Sequence, residues 1–183
     1  MNGRKGDDIR KLFDVGTRPI DPIFESVYEG GPFRRCLECE GPFFDGGQEL
    51  FYVIMKVFVH DETIVELAMC EKCRSRMRQE ISDKSKEAIT RFIAERFRPS
   101  ATIDSCAICQ RRRDTCRSAT VYAYCFGSRM IVHDYPLMIC DRCEETIQEM
   151  MSDETRGWQQ DFMDRHFSGP SLEVGPKLSP VLI

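Results

Sequence analysis

Apolar positions recur along this chain in two periods, and the same succession of periods occurs twice. Residues 49–59 are dense in aromatic and β-branched side chains, residues 60–63 are turn-like, and residues 64–69 resume an apolar strand, a pattern that predicts a β-hairpin. Residues 119–126, a turn around Gly127 and Ser128, and residues 130–139 repeat it. After each hairpin the apolar spacing becomes helical, with Met77, Ile81, Ala88, Ile89, Phe92, Ile93 and Phe97 in the first stretch and Ile147, Met150, Met151, Phe162, Met163 and Phe167 in the second. A Ser-Asp pair interrupts both stretches at the same place, Ser82-Asp83 and Ser152-Asp153. Serine and aspartate are good N-caps, so each helix either stops and restarts there or runs through with exposed polar residues, and Gly157 favours a break in the second.

The flanks lack a sustained period. Residues 1–32 carry Gly16, Pro19, Pro22, Gly30 and Gly31 and read as a leader that wraps the first repeat, with Ile20, Ile23, Phe24 and Tyr28 as anchors. Residues 168–183 hold Gly169, Pro170, Gly175, Pro176 and Pro180 and read as a flexible tail. Between them the 183-residue chain divides into module 1, residues 33–97, and module 2, residues 98–167. Modules of about 65 residues bury marginal cores, so something besides apolar burial is expected to hold them.

The cysteines supply it. Eight of the ten form C-x-x-C pairs at a constant offset of seventy: Cys36, Cys39, Cys70 and Cys73, then Cys106, Cys109, Cys140 and Cys143. Four soft thiolates per repeat are what a closed tetrahedral zinc site requires, so two structural Zn2+ are expected. Separated pairs bracketing a hairpin suit zinc better than an iron-sulfur cluster. The pairing is metal-like rather than that of a secreted disulfide scaffold, and residues 1–11 are polar, unlike a signal peptide, so a reducing cytoplasm is the expected compartment. No apolar run approaches the roughly 20 residues of a membrane span, so no membrane association is expected.

Knuckle, hairpin, and a helix whose first turn carries the last two ligands is the order of treble-clef zinc fingers, which residues 33–97 and 103–167 resemble. The resemblance implies an α+β fold of two tandem treble-clef modules, each with a zinc knuckle, a β-hairpin and a C-terminal amphipathic helix. A helix N-terminus there would favour thiolate at the second pair. A zinc ribbon is the alternative, but it places both pairs on knuckles, and the long amphipathic segments after Cys73 and Cys143 favour the treble clef. Gly41 suits the first knuckle, whereas Gln110, Arg111 and Arg112 depart from its glycine. The run Ile139, Cys140, Asp141, Arg142, Cys143, Glu144, Glu145 before an apolar helix also resembles the zinc-binding domain of Clp-type unfoldases, which implies dimerisation and the binding of adaptors and substrates; its hairpin loop is shorter than here, and no ATPase is expected to follow.

Charge narrows the function. A formal net charge of -4 is unlike that of a generic nucleic-acid binder. Residues 74–97 carry seven basic and four acidic side chains and residues 144–167 two and seven, which suggests that the modules pack together or that two chains pair as an antiparallel homodimer. Nucleic-acid binding would rest on Arg34 and Arg35, on Lys72, Arg74, Arg76 and Arg78, and on Arg111, Arg112, Arg113 and Arg117; cations beside thiolate-bound zinc explain the same clusters. Catalysis would need His60, His133 and His166 in helical or hairpin register, as in His-Asn-His nucleases, and none pairs with another. Cys116 and Cys125 stand outside the repeat, as an exposed thiol and a buried strand residue respectively or as a redox pair. The expectation is a non-catalytic adaptor with a protein partner, the alternative a nucleic-acid-binding zinc finger. Met138, Met150, Met151, Trp158, Phe162 and Met163 form either core or docking surface.

Overall fold

The structure, a computed structural model, describes residues 16–45 and 48–167. Residues 1–15 of the leader and the 168–183 tail lie outside the described residues. Among the described residues the architecture is α+β, with an antiparallel sheet and four α-helices.

The first hairpin joins β4 (Phe51–Val59) to β5 (Glu62–Cys70), after a leader strand β1 (Thr17–Pro19) and a small ribbon of β2 (Phe44–Asp45) and β3 (Gln48–Glu49). His60 and Asp61 make the turn with left-handed φ values of 48° and 64°. Module 2 supplies β6 (Ser118–Phe126), β7 (Arg129–Ile131) and β8 (Leu137–Cys140). Both β7 and β8 pair with β6, so together they take the place of β5. The interruption between them contains Pro136, which has no N–H to give to a ladder.

The two hairpins are not separate. β4 pairs antiparallel with β6 along its whole length, and the order across the sheet is β1-β7-β6-β4-β5, with β8 also on β6. Val53 faces Tyr124 and Ile54 faces Ala123. Adding seventy turns Val53 into Ala123 and Ile54 into Tyr124, so these two pairs exchange under the repeat and mark a pseudo-two-fold axis through the middle of the sheet. Central position explains the composition of β4, whose interior residues are buried on both faces.

One face of the sheet carries the helices. Tyr122 Oη lies 3.4 Å from a Glu144 carboxylate oxygen and Tyr124 Oη 3.5 Å from one of Glu71, placing the helices that bear those glutamates over Met55, Val53 and their partners. The other face is covered by the leader. Phe24 is buried, Phe43 stacks on Tyr52 at 4.1 Å, and Lys56 forms an ion pair of 3.1 Å with Glu66 while donating to the Glu25 carbonyl. The leader therefore does hold Ile20, Ile23 and Phe24 against the core, but Tyr28 is 77% exposed, and β1 pairs with β7 of module 2 rather than staying on module 1.

Each helical stretch is broken at its Ser-Asp pair. Helices α1 (Glu71–Glu80) and α2 (Asp83–Arg96) are matched by α3 (Asp141–Met150) and α4 (Asp153–His166), ten and fourteen residues in both modules. Ser82 and Ser152 cap α2 and α4, accepting from the N–H groups of Ser85 and Thr155. The caps also meet each other. The Ser82 N–H donates to Thr155 Oγ1 (3.1 Å), the Ser152 N–H donates to Ser85 Oγ (2.9 Å), and the Ser82 and Ser152 hydroxyls lie 2.8 Å apart. Four hydroxyls from two modules thus close one network at the axis, and each break is satisfied by the opposite repeat.

Candidate metal centres

Each cysteine set expected from the spacing is brought together. The Sγ atoms of Cys36, Cys39, Cys70 and Cys73 lie within 4.8 Å of one another, and so do those of Cys106, Cys109, Cys140 and Cys143. All are free thiols, with Cys39 and Cys109 exposed and the others buried. Cys70 and Cys140 end β5 and β8 and are the N-cap residues of α1 and α3, so Cys73 and Cys143 fall in the first helical turns.

The first pair of each set sits on a tight turn built from the same four contacts. The Cys36 and Cys106 N–H groups donate to Gly41 and Arg111 carbonyls at 2.9 Å, and the Glu40 and Gln110 N–H groups donate back to Cys36 and Cys106. The Leu37 N–H reaches the Ala68 carbonyl and the Ala107 N–H the Met138 carbonyl, which ties each turn to its own hairpin. Backbone N–H groups of Cys70 and Cys140 point at Cys36 and Cys106 Sγ at 3.4 Å. The left-handed position is Glu40 (φ 55°) in one turn and Gln110 (φ 61°) in the other. Gly41 is not that residue, so the lack of a glycine after Cys109 does not distinguish the two turns.

Bare thiols at this spacing conflict electrostatically. Hydrogen bonds from Cys140 and Cys143 push the Cys106 thiol down, and the same contact with Cys106 pushes Cys143 far up, because four thiolates this close cannot all ionise unaided. A divalent cation removes the conflict. The Cys39–Cys70 and Cys109–Cys140 separations of 3.9 and 3.5 Å bracket the edge of a tetrahedron of thiolates at metal distance, about 3.8 Å. The donor set and its size therefore fit a tetrahedral metal ion.

The basic clusters seen in the sequence are largely consumed by neighbours. Arg74 and Arg78 pair with Glu71, Arg76 donates to Cys73 Sγ at 3.0 Å, Arg111 pairs with Asp141, Arg112 with Asp114, Arg113 with Asp61 and Arg117 with Glu145. Arg35 donates to the Glu40 carbonyl in the first turn, and Arg34 is exposed. The histidines are dispersed: His60 is on the β4–β5 turn, His133 beside Asp134, and His166 at the end of α4, 2.7 Å from Glu38 of the other module's turn. Met138, Met151, Phe162 and Met163 are core, with Met150 and Trp158 packed partly buried against them.

Cys116 and Cys125 do not form a pair. Seven strand steps, roughly 23 Å, separate Ser118 at the start of β6 from Cys125. Cys125 is fully buried, and burial pushes its thiol up to about 12. Cys116 Sγ instead groups with Cys140 Sγ and Asp141 within 4.8 Å, a neighbour that seventy-residue spacing does not reveal because its counterpart is Gly46.

No family model, curated protein or solved structure matches the chain. No helix among the described residues is long and apolar enough to cross a membrane.

Proposed function

We propose that the chain is a non-catalytic adaptor held together by two structural Zn2+, one at each cysteine set, and that its partner is a protein. Four thiolates at tetrahedral spacing suit zinc, and the order of knuckle, hairpin and ligand-bearing helix supports two treble-clef modules in a reducing compartment. Dispersal of the three histidines supports a binding rather than a catalytic role.

The observation that carries the protein-partner reading is a rigid turn with an apolar crest. Val27 and Tyr28 are 63% and 77% exposed, yet their N–H groups both donate to the buried Glu66 carboxylate, at 3.1 and 3.3 Å. Ser26 closes the turn, exchanging main-chain hydrogen bonds with Gly31 and donating its hydroxyl to Glu66 at 2.5 Å. An exposed tyrosine whose backbone is already ordered loses little entropy on binding, which is the character of an interface anchor.

The test compares captured proteins for the wild type and for Val27→Ser/Tyr28→Ser, with matched zinc content and circular dichroism. A partner held by the wild type and lost with the double variant supports the reading. Identical captured sets overturn it.

A further inference from the structure

A cavity of about 650 Å³ opens beside the second cysteine set, between the end of α2, the second knuckle and the first turn of α3. Arg96, Arg98, Arg111 and Arg142 line it without a carboxylate, and Phe92 and Ile108 give it an apolar wall. The corresponding cavity beside the first set, about 240 Å³, places Arg76 and Arg165 against Glu38 and Glu80.

The cations of the two cavities are employed differently. In the smaller, Arg76 donates to Cys73 Sγ and Arg165 lies 3.6 Å from Glu38. In the larger, Arg111 is paired with Asp141, but among the described residues Arg98 donates only to the Phe97 and Glu95 carbonyls, and Arg96 stacks over Phe92 at 5.1 Å. The exposed Arg142 guanidinium has no hydrogen bond or ion pair among the described residues. A dication held by four thiolates has a net charge of about -2, so the three guanidinium groups not paired with a carboxylate exceed what the metal centre itself calls for. They do so on a chain whose formal charge is -4.

We infer that this cavity binds a small phosphorylated organic molecule bearing two or more phosphoryl groups. Guanidinium forks match phosphoryl oxygens, and Arg96, Arg98 and Arg142 line one cavity from which they can take adjacent groups. The volume has room for a small molecule, with Cys109 and Cys143 on one side and the small exposed parts of Phe92 and Ile108 as its floor. The site is independent of the Val27–Tyr28 turn and of the protein-partner reading.

Calorimetric titration of the zinc-loaded full chain at low salt with pyrophosphate and with adenosine diphosphate tests it. The expected result is saturable binding at one site, weakened about tenfold or more by Arg96→Gln and by Arg142→Gln, and unchanged by Arg165→Gln in the other cavity. Zinc content is measured on every variant and is expected to stay at the wild-type value. Absence of saturable binding, or equal weakening by Arg165→Gln, overturns the inference. A single-stranded oligonucleotide that competes with the diphosphate and depends on the same arginines supports the phosphoryl chemistry. An oligonucleotide that binds while neither diphosphate does overturns it in favour of a nucleic-acid interface.

Discussion

The two cysteine-bearing repeats have nearly the same backbone and quite different surroundings. Their knuckles, helix lengths and caps repeat contact for contact, whereas the cavity beside one set is charge-balanced and the other is arginine-rich. Module 1 has an unbroken β5 and a buried Lys56–Glu66 pair; module 2 has a divided strand and a fifth thiol near its metal site. What repeats is what the metal and the hydrogen-bonded turns demand. What diverges includes buried parts such as the Lys56–Glu66 pair and exposed ones such as the arginine-lined cavity, and the exposed ones are available to partners and ligands.

Removing a metal ligand is the strongest way to break the comparison. Apparent zinc energies in small modules run to roughly 10–16 kcal/mol, as large as the whole net stability of a domain at about 5–15 kcal/mol, so chelation is expected to abolish the cooperative unfolding transition. Because β4 and β6 share one ladder, Cys73→Ser and Cys143→Ser are each expected to reduce the stability of both modules, not only the one that carries the substitution. Zinc analysis with thermal unfolding checks this; a second module that melts unchanged after loss of the first metal would show the two to be independent.

The buried ion pair comes next and belongs to module 1 alone. Lys56→Met is expected to cost about 3–5 kcal/mol by stranding Glu66, and Lys56→Met/Glu66→Met to recover only part of it, because the Ser26, Val27 and Tyr28 donors then lose their acceptor, as read by denaturant midpoints. The pair also sets a pH signature. Burial acts to raise the Glu66 pKa, but bonds from Ser26 Oγ, the Val27 N–H, Lys56 and the Tyr28 N–H outweigh it and hold the carboxyl below 4.5. A lowered folded pKa contributes stability above the unfolded value that is lost as pH falls through the folded one. Glu66→Gln is therefore expected to flatten the wild-type loss of stability below about pH 4.5. Equal slopes for the two proteins would count against it.

Smaller effects test the symmetric parts. Ser85→Ala and Thr155→Ala each leave a cap N–H of the opposite repeat unpaired and are expected to cost about 1–3 kcal/mol by equal amounts, with the double variant departing from additivity. Glu40→Gly relieves left-handed backbone and is expected to stabilise by about 1 kcal/mol, and Gln110→Gly by less, because its amide donates to the Arg98 and Cys106 carbonyls. Equal gains in the two knuckles would show that the Gln110 amide bonds contribute nothing to stability.

The metal sets, the hairpins and the helix spacing were legible because periodicity and ligand chemistry act locally. The Ser-Asp break was ambiguous for a physical reason: half of its hydrogen bonds come from the other repeat, so neither copy alone contains the evidence. The shared sheet had a faint signal in the near-continuous apolar run of β4, which reads as a strand buried on both faces but does not name its neighbour. Glu40 and Gln110 were missed because glycine is the usual sign of a left-handed residue, and here the closing hydrogen bonds hold the conformation instead. The arginine cavity could not be read at all. Arg96, Arg98, Arg111 and Arg142 come from a helix end, a linker, a knuckle and another helix, and only the pseudo-symmetric packing brings them together.

The hydroxyl seam at the axis has a consequence for the origin of the chain. On a true two-fold axis a side chain must bond to its own copy, which a carboxylate or an ammonium cannot do and a hydroxyl, both donor and acceptor, can. Ser82 against Ser152 and Ser85 against Thr155 satisfy that condition, and β4 against β6 satisfies its main-chain equivalent. The seam is thus already fit to join two identical chains, and a single-repeat ancestor could have assembled as a homodimer before duplication and fusion freed each half to acquire its own surface.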